Sequence, residues 1–282
     1  MRDFEQLKKM TADFYSMKPD APIPLEEFGY YSKEQWISQG YIKEGEDMVA
    51  LFGFERLTNY YLHGLAGTVA PFVPRFKEEV IHSDEQYEIA IDKAGRTVKY
   101  FKGRRDGFMP QYLDFPVKDM ATWEEIKWRL DYANAQRNED LKKFISDSVP
   151  LAEKGYHSVM YIVGAFMYLR SLVGGEEILY MIYDDPGLLH TCMEKWLELS
   201  DYVTAKYQDH VRIDELLLDE DICYNHGPLI SPEQIRTFLF PYYKELIQGL
   251  RSRNARLAMS DKECAYKQPK TYDLIIHVAT DG

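Results

Sequence analysis

The stretch that most constrains this chain is residues 215 to 241, ELLLDEDICYNHGPLISPEQIRTFLFP. Glu215 to Leu218 is a short, leucine-rich run of the kind used by a strand buried on both faces. Asp219, Glu220 and Asp221 follow where such a strand leaves the core. Ser231 then stands as an N-cap, with Pro232 at the first helical position and Glu233 in the first turn. A strand, a polar loop and a capped helix in that order put the loop at the C-terminal edge of a parallel sheet, where α/β folds bind ligands.

The flanking sequence repeats the alternation. Phe4 to Ser16 reads as a first helix, and PIPLEEF, 22 to 28, as the entry to a first strand broken by Gly29. Tyr30, Tyr31 and Trp36 follow in a loop and a short helix. Between Glu78 and Gly103 the pattern turns to two extended runs joined at Asp92 to Gly95, a β-hairpin inserted in a helical stretch. Asp119 opens a helix carrying Trp123, Ile126 and Leu130 at helical spacing, and Leu141 to Lys154 forms another. HSVMYIVG, ending at Gly164, is a buried strand followed directly by the helix AFMYLRSLVG. Glu176 to Tyr183 and Pro186 to Tyr207, the latter capped by Asp185, are two more helices; Pro232 to Arg253 is a third, and Tyr272 to Val278 a further strand. The spacing predicts a parallel α/β sheet with right-handed crossovers.

Composition narrows the function. With 34 Lys and Arg against 46 Asp and Glu, the net charge of −12 speaks against nonspecific binding to nucleic acid or an anionic membrane. Cys192, Cys223 and Cys264 lie far apart with no CxxC pair, so neither a disulfide framework nor a cysteine-cluster zinc site is indicated, and a cytoplasmic location is expected. The charged N-terminus lacks the apolar core of a signal peptide. Aromatic residues make up 14% of the chain, which suits flat ligands and a tyrosine-rich core alike. Neither GxGxxG, a Walker loop, HExxH nor a GxSxG elbow is present, so nucleotide, zincin and serine-hydrolase readings lack a motif.

Four segments, PLEEFGYYSKEQW, YLDFPVKDMATWEEIKWRL, GAFMYLRSLVG and DEDICYNHGPLISPEQIRTFLFPYYKELI, together resemble the uroporphyrinogen decarboxylase superfamily. The likeness spans most of residues 20 to 255. It implies a (β/α)8 TIM-type barrel whose cleft takes a tetrapyrrole or a corrinoid-bound methyl group. Two departures stand out. EFGYY occupies the place of the decarboxylases' arginine segment, with Gly29 and Tyr30 where guanidinium groups would pair with substrate carboxylates. His277-Val278-Ala279 stands where the zinc methyltransferases carry His-x-Cys, which leaves His277 as a candidate metal ligand without its partners and makes zinc unexpected. About five of the eight strands of a barrel are counted before Gly282, so the expectation is a single, C-terminally truncated barrel over 1 to 282 with the hairpin 78 to 103 inserted.

The expected activity is corrinoid-linked methyl transfer from a small methylated compound. The alternatives are uroporphyrinogen decarboxylation in porphyrin biosynthesis, which needs no cofactor, and an inactive fragment. Glu220, Asp221 and His226 are the candidate acid and base groups. Adjacent strand residues point to opposite sides, so Glu220 and Asp221 are not both expected to face the cleft. Glu26, Tyr30, Arg170 and Asn225 are the candidate ligand-binding residues: Glu26 at a strand end, Arg170 in the helix after Gly164, Asn225 before the Gly227-Pro228 turn. Tyr30 and Trp36 are candidate cleft walls. Expected partners are a tetrapyrrole or small-molecule substrate and a corrinoid protein, with a homodimer implied by the family alone.

Overall fold

The structure, a computed structural model, describes residues 2–25, 32–56, 58–62, 71–103, 109–260 and 275–279. In chain order its elements begin with α1 (Phe4–Tyr15), α2 (Lys33–Ser38), α3 (Met48–Phe52) and β1 (Asn59–Leu62). An antiparallel unit follows: β2 (Glu79–Ser83), β3 (Tyr87–Ile91), β4 (Thr97–Phe101) and β5 (Gln111–Asp114). Next come α4 (Met120–Ile126), α5 (Ala135–Glu153), β6 (His157–Val163), α6 (Ala165–Val173), α7 (Glu177–Asp184), α8 (Pro186–Gln208) and β7 (Glu215–Asp219). A miniature hairpin of β8 (Cys223–Tyr224) and β9 (Gly227–Pro228) leads to α9 (Pro232–Gln234), a π-type turn (Ile235–Leu239), α10 (Phe240–Ser260) and β10 (Ile275–Ala279).

The parallel sheet has the order β1-β6-β7-β10, and each adjacent pair is parallel. The order follows the sequence without reversal, so each strand is laid beside the one before it and every connection is a crossover. β6 buries side chains on both of its faces, Val159 on one and Met160 and Ile162 on the other, and Leu216 and Leu218 of β7 are buried as well. α8 buries Leu188, Leu189, Cys192, Met193, Trp196, Leu199, Val203 and Tyr207 in the core at helical spacing. The Trp196 indole N–H donates to the Val163 carbonyl at 2.9 Å and ties α8 to the end of β6. No described helix is long and apolar enough to cross a membrane.

Several expectations change here. The mixed α/β architecture with a parallel sheet is present, but among the described residues the sheet has four strands and no closed barrel is formed. Pro22 to Leu25 has no regular structure, and Glu26, Glu27 and Phe28 lie outside the described residues. Among the described residues the first strand is NYYL at 59 to 62. Its tyrosines and asparagine hide a strand whose buried residues are Tyr60 and Leu62. The expected hairpin is real in β3 and β4, where the Asp92 carboxylate accepts from the amides of Ala94 and Arg96 at 2.9 Å and closes the turn. It is part of a larger sheet, however, since β2 and β5 add on either side. β2 is exposed along its whole length, so burial leaves no alternation there to read. α5 begins at Ala135 with Asn134 as cap, six residues before the expected start. Asp119, Asp185 and Ser231 all cap their helices through their side chains, as their sequence positions require.

The N-terminal edge of the sheet carries a half-buried histidine–carboxylate pair. His157 Nε2 lies 2.9 Å from Glu215 Oε2, and the imidazole stacks on Tyr15 of α1 at 6.0 Å. Burial by itself pulls the His157 pKa down, but the Glu215 hydrogen bond and the charges of Asp214 and Glu215 outweigh it and the net shift is upward. A raised folded-state pKa means that this pair stabilises fully below the unfolded histidine value of about 6.5. Its contribution is lost as pH rises through the folded value. Urea denaturation of the wild type and of His157→Gln at pH 5.5, 7 and 8.5 should therefore show the stability gap between the two narrowing as pH rises. A gap that widens instead would remove the pair from the pH response.

Candidate functional site

The C-terminal ends of β6 and β7 meet at a joint built by two residues. The Gly164 amide donates to the Asp219 carbonyl at 2.7 Å, extending the ladder one step past β6. The chain then turns into α6, whose first amides have no partner within the helix. Glu220 supplies one: its carboxylate accepts from Phe166 N at 3.0 Å and Met167 N at 3.1 Å. The Ala165 amide donates to the Tyr243 hydroxyl of α10 at 2.9 Å. Glu220 is 1% exposed, and burial pushes its pKa up to about 7 against the lowering effect of the two amides and of Arg170, with Asp219 pushing the same way as burial. Gly164 is glycine because a Cβ there would stand 2.2 Å from the Glu220 carboxyl carbon.

Glu220 therefore faces the helix and Asp221 faces outward. Arg170 Nη1 donates to the Asp221 carbonyl at 3.0 Å and Nη2 to its carboxylate at 2.5 Å. Both side chains are about one-third exposed and sit on the wall of a cleft of about 1010 Å³. One wall is α6 and α7, through Met167, Arg170, Val173, Glu177 and Met181. The facing wall is β5 and the chain after it, through Tyr112, Leu113, Asp114, Phe115 and Lys118, with Arg96 from the end of the β3–β4 turn. Asp221 and Leu229 enter from the segment after β7. The cleft thus lies at the C-terminal strand edge, and the antiparallel sheet forms one of its sides.

The sequence candidates distribute as follows. Asp221 and Arg170 come together in the cleft. Glu220 lies beneath α6, outside the cleft lining. Asn225 and His226 occupy the exposed tip of the β8–β9 hairpin, where His226 meets the edge of Tyr224 at 5.7 Å, and neither lines the cleft. Trp36 is in α2 and contacts Phe52 at 6.0 Å, away from the cleft. Glu26 and Tyr30 lie outside the described residues, and His277 is placed by its backbone on β10 opposite Leu217. Among the described residues no three His, Cys, Asp or Glu side chains converge as a metal site would require. The sequence reading missed Arg96, Tyr112, Asp114, Lys118, Met167 and Met181. The three on β5 and just after it sit on a short, exposed segment that offers no burial pattern, and only the unusual density of polar and aromatic residues around 111 to 118 marks them.

The fold and cleft define a class: an α/β protein with a sequentially ordered parallel sheet and a cleft of about 1010 Å³ at its C-terminal edge. No protein-family model matches the chain, and no curated protein matches it. Among solved structures, a methyltransferase from Methanosarcina mazei is similar at 14% sequence identity, over 86% of this chain and 67% of that one, with a TM-score of 0.48.

Proposed function

We propose that this chain is a barrel of the uroporphyrinogen decarboxylase type whose cleft serves corrinoid-linked methyl transfer from a small methylated compound. The unreversed strand order supports the barrel, since β1, β6, β7 and β10 follow one another as consecutive staves would. The charge balance of the cleft carries the choice of ligand. Four carboxylates line it, those of Asp114, Glu176, Glu177 and Asp221, against three cations, Arg96, Lys118 and Arg170. Each cation is already engaged: Arg96 by Asp92 at 2.7 Å, Lys118 by Asp114 at 2.8 Å, and Arg170 by Asp221 at 2.5 Å. Among the described residues an octacarboxylate would meet no free guanidinium there and would face uncompensated acids, which counts against the decarboxylase reading.

A neutral macrocycle fits these walls better. Met167, Met181, Leu113 and Leu229 offer polarisable and apolar contacts to a flat ring, and Tyr112 and Phe115 present aromatic surface. The Arg170–Asp221 pair offers donors and an acceptor at the rim to amide side chains of the kind a corrinoid carries. The corrinoid would supply the cobalt centre that carries the methyl group; the chain would bind, orient and exclude water. No zinc enters this reading.

Titration with methylcobalamin, followed in the visible spectrum, tests it. Saturable binding is expected, weakened about tenfold in Arg170→Met, equivalent to losing roughly 1.4 kcal/mol of contact. Coproporphyrinogen formation from uroporphyrinogen, with no cobalamin binding, would instead establish the decarboxylase.

A further inference from the structure

We infer that Glu220 is a proton-linked positioning residue: its carboxylate locks the first turn of α6 over the strand ends, and protonation there releases the turn and weakens ligand binding in the cleft. The inference rests on the cleft reading above, because the cleft is where the movement is felt.

The geometry is that of a latch. Glu220 leaves β7, crosses to α6 and takes the amides of both Phe166 and Met167, while Gly164 gives it room that any side chain would fill. Met167 and Arg170, in the same turn or the next, are among the α6 residues that line the cleft, and Arg170 is bonded to Asp221. An ionised carboxylate offers acceptors to both amides. Protonation makes one oxygen a hydroxyl and a much poorer acceptor, so the bond to one of the two amides is weakened. In a buried joint that loss is not made good by water.

The ionisable groups around Glu220 come from four elements. Asp219 and Asp221 flank it in sequence, Arg170 comes from α6, and Tyr243 stands over the adjacent Ala165 amide from α10. Tyr161 of β6 donates to the Asp219 carboxylate and fixes that side chain beside Glu220. Arg170 and the amides favour the ionised form, while burial and Asp219 favour the protonated one. The balance pushes the Glu220 pKa up to about 7, so the ionised fraction falls mainly between pH 8 and pH 6.

A reporter is built in. The Trp196 indole bonds to the Val163 carbonyl at 2.9 Å and its ring lies 5.6 Å from Tyr243, whose hydroxyl accepts from Ala165. The fluorescence difference between wild type and Trp196→Phe should titrate between pH 6 and 8, and the same difference in a Glu220→Gln background should stay flat. Methylcobalamin affinity of the wild type should fall about tenfold from pH 8 to pH 6, following the ionised fraction of a group with a pKa of about 7, whereas Glu220→Gln should bind equally at both. Should Glu220→Gln fail to fold, carboxyl carbon shifts in glutamate-labelled wild type supply the same answer, with one buried resonance moving in this range. A flat wild-type fluorescence titration, or a Glu220→Gln profile matching the wild type, overturns the latch. Absence of cobalamin binding at any pH overturns the cofactor reading alone, since fluorescence and carbon shifts need no ligand.

Discussion

Gly164→Ala should destabilise the protein by about 3 kcal/mol, a large effect for one added methyl group. The backbone there has φ −64° and ψ 160°, a conformation alanine adopts freely, so the cost is steric. The new Cβ would fall 2.2 Å from Cδ, 2.4 Å from Cγ and 2.5 Å from Oε1 of Glu220. The carboxylate has to leave, and its departure orphans the amides of Phe166 and Met167 in a dry joint. Combining Gly164→Ala with Glu220→Ala should cost much less than the sum of the two single changes, because the second removes what the first collides with. Additive free energies from urea denaturation would show that the two side chains do not act on one another.

Arg137→Met should cost a comparable amount, about 3 kcal/mol, although methionine fills much of the same volume. Arg137 is fully buried and has no carboxylate partner among the described residues; its Nη2 donates to the carbonyls of Pro71 at 2.7 Å and Arg129 at 2.9 Å, and its Nε to that of Asp131 at 3.0 Å. Burial lowers its pKa to about 10, which leaves it charged at neutral pH. Two opposing terms meet in the substitution. Removing a buried charge relieves a desolvation cost, while the Pro71 and Asp131 carbonyls lose a charge-assisted donor. The carbonyls should decide the sign, because Arg137 is the tie that holds the segment after β1 against the start of α5. Arg129 loses less, since its carbonyl also accepts from the Val73 amide at 2.8 Å. Calorimetry of Arg137→Met and Arg137→Lys would measure the balance, and a stabilised methionine variant would mean that the charge dominates.

How much of this was legible in the sequence depended on what each residue type announces. β6, β7, α6 and α8 were readable because apolar periodicity and capping residues speak for themselves. β1 was not, because NYYL buries only alternate residues and presents polar ones between them. The pairing of Arg170 with Asp221 could not be read from positions 51 apart in the chain. For Glu220 and Asp221 the alternation of an extended chain forbade a shared direction, yet could not say which turned inward. The missing clue was Gly164: a glycine in the last position before a helix, where any side chain would occupy the space Glu220 needs, marks the inward carboxylate. The cleft wall stayed hidden because β5 is exposed throughout, and an exposed edge strand carries no burial signal.

The antiparallel sheet enters the chain between β1 and β6, two strands that lie side by side. One half of the cleft is thus made by framework whose residues also hold the fold together, and the other by an insertion that the parallel sheet does not need in order to pair. Mutation can rework the inserted half, at Tyr112, Leu113 or Lys118, with little penalty to the scaffold. A chain built this way can reshape one wall of its cleft by drift in one segment while the strand-end wall is kept intact by selection on the fold.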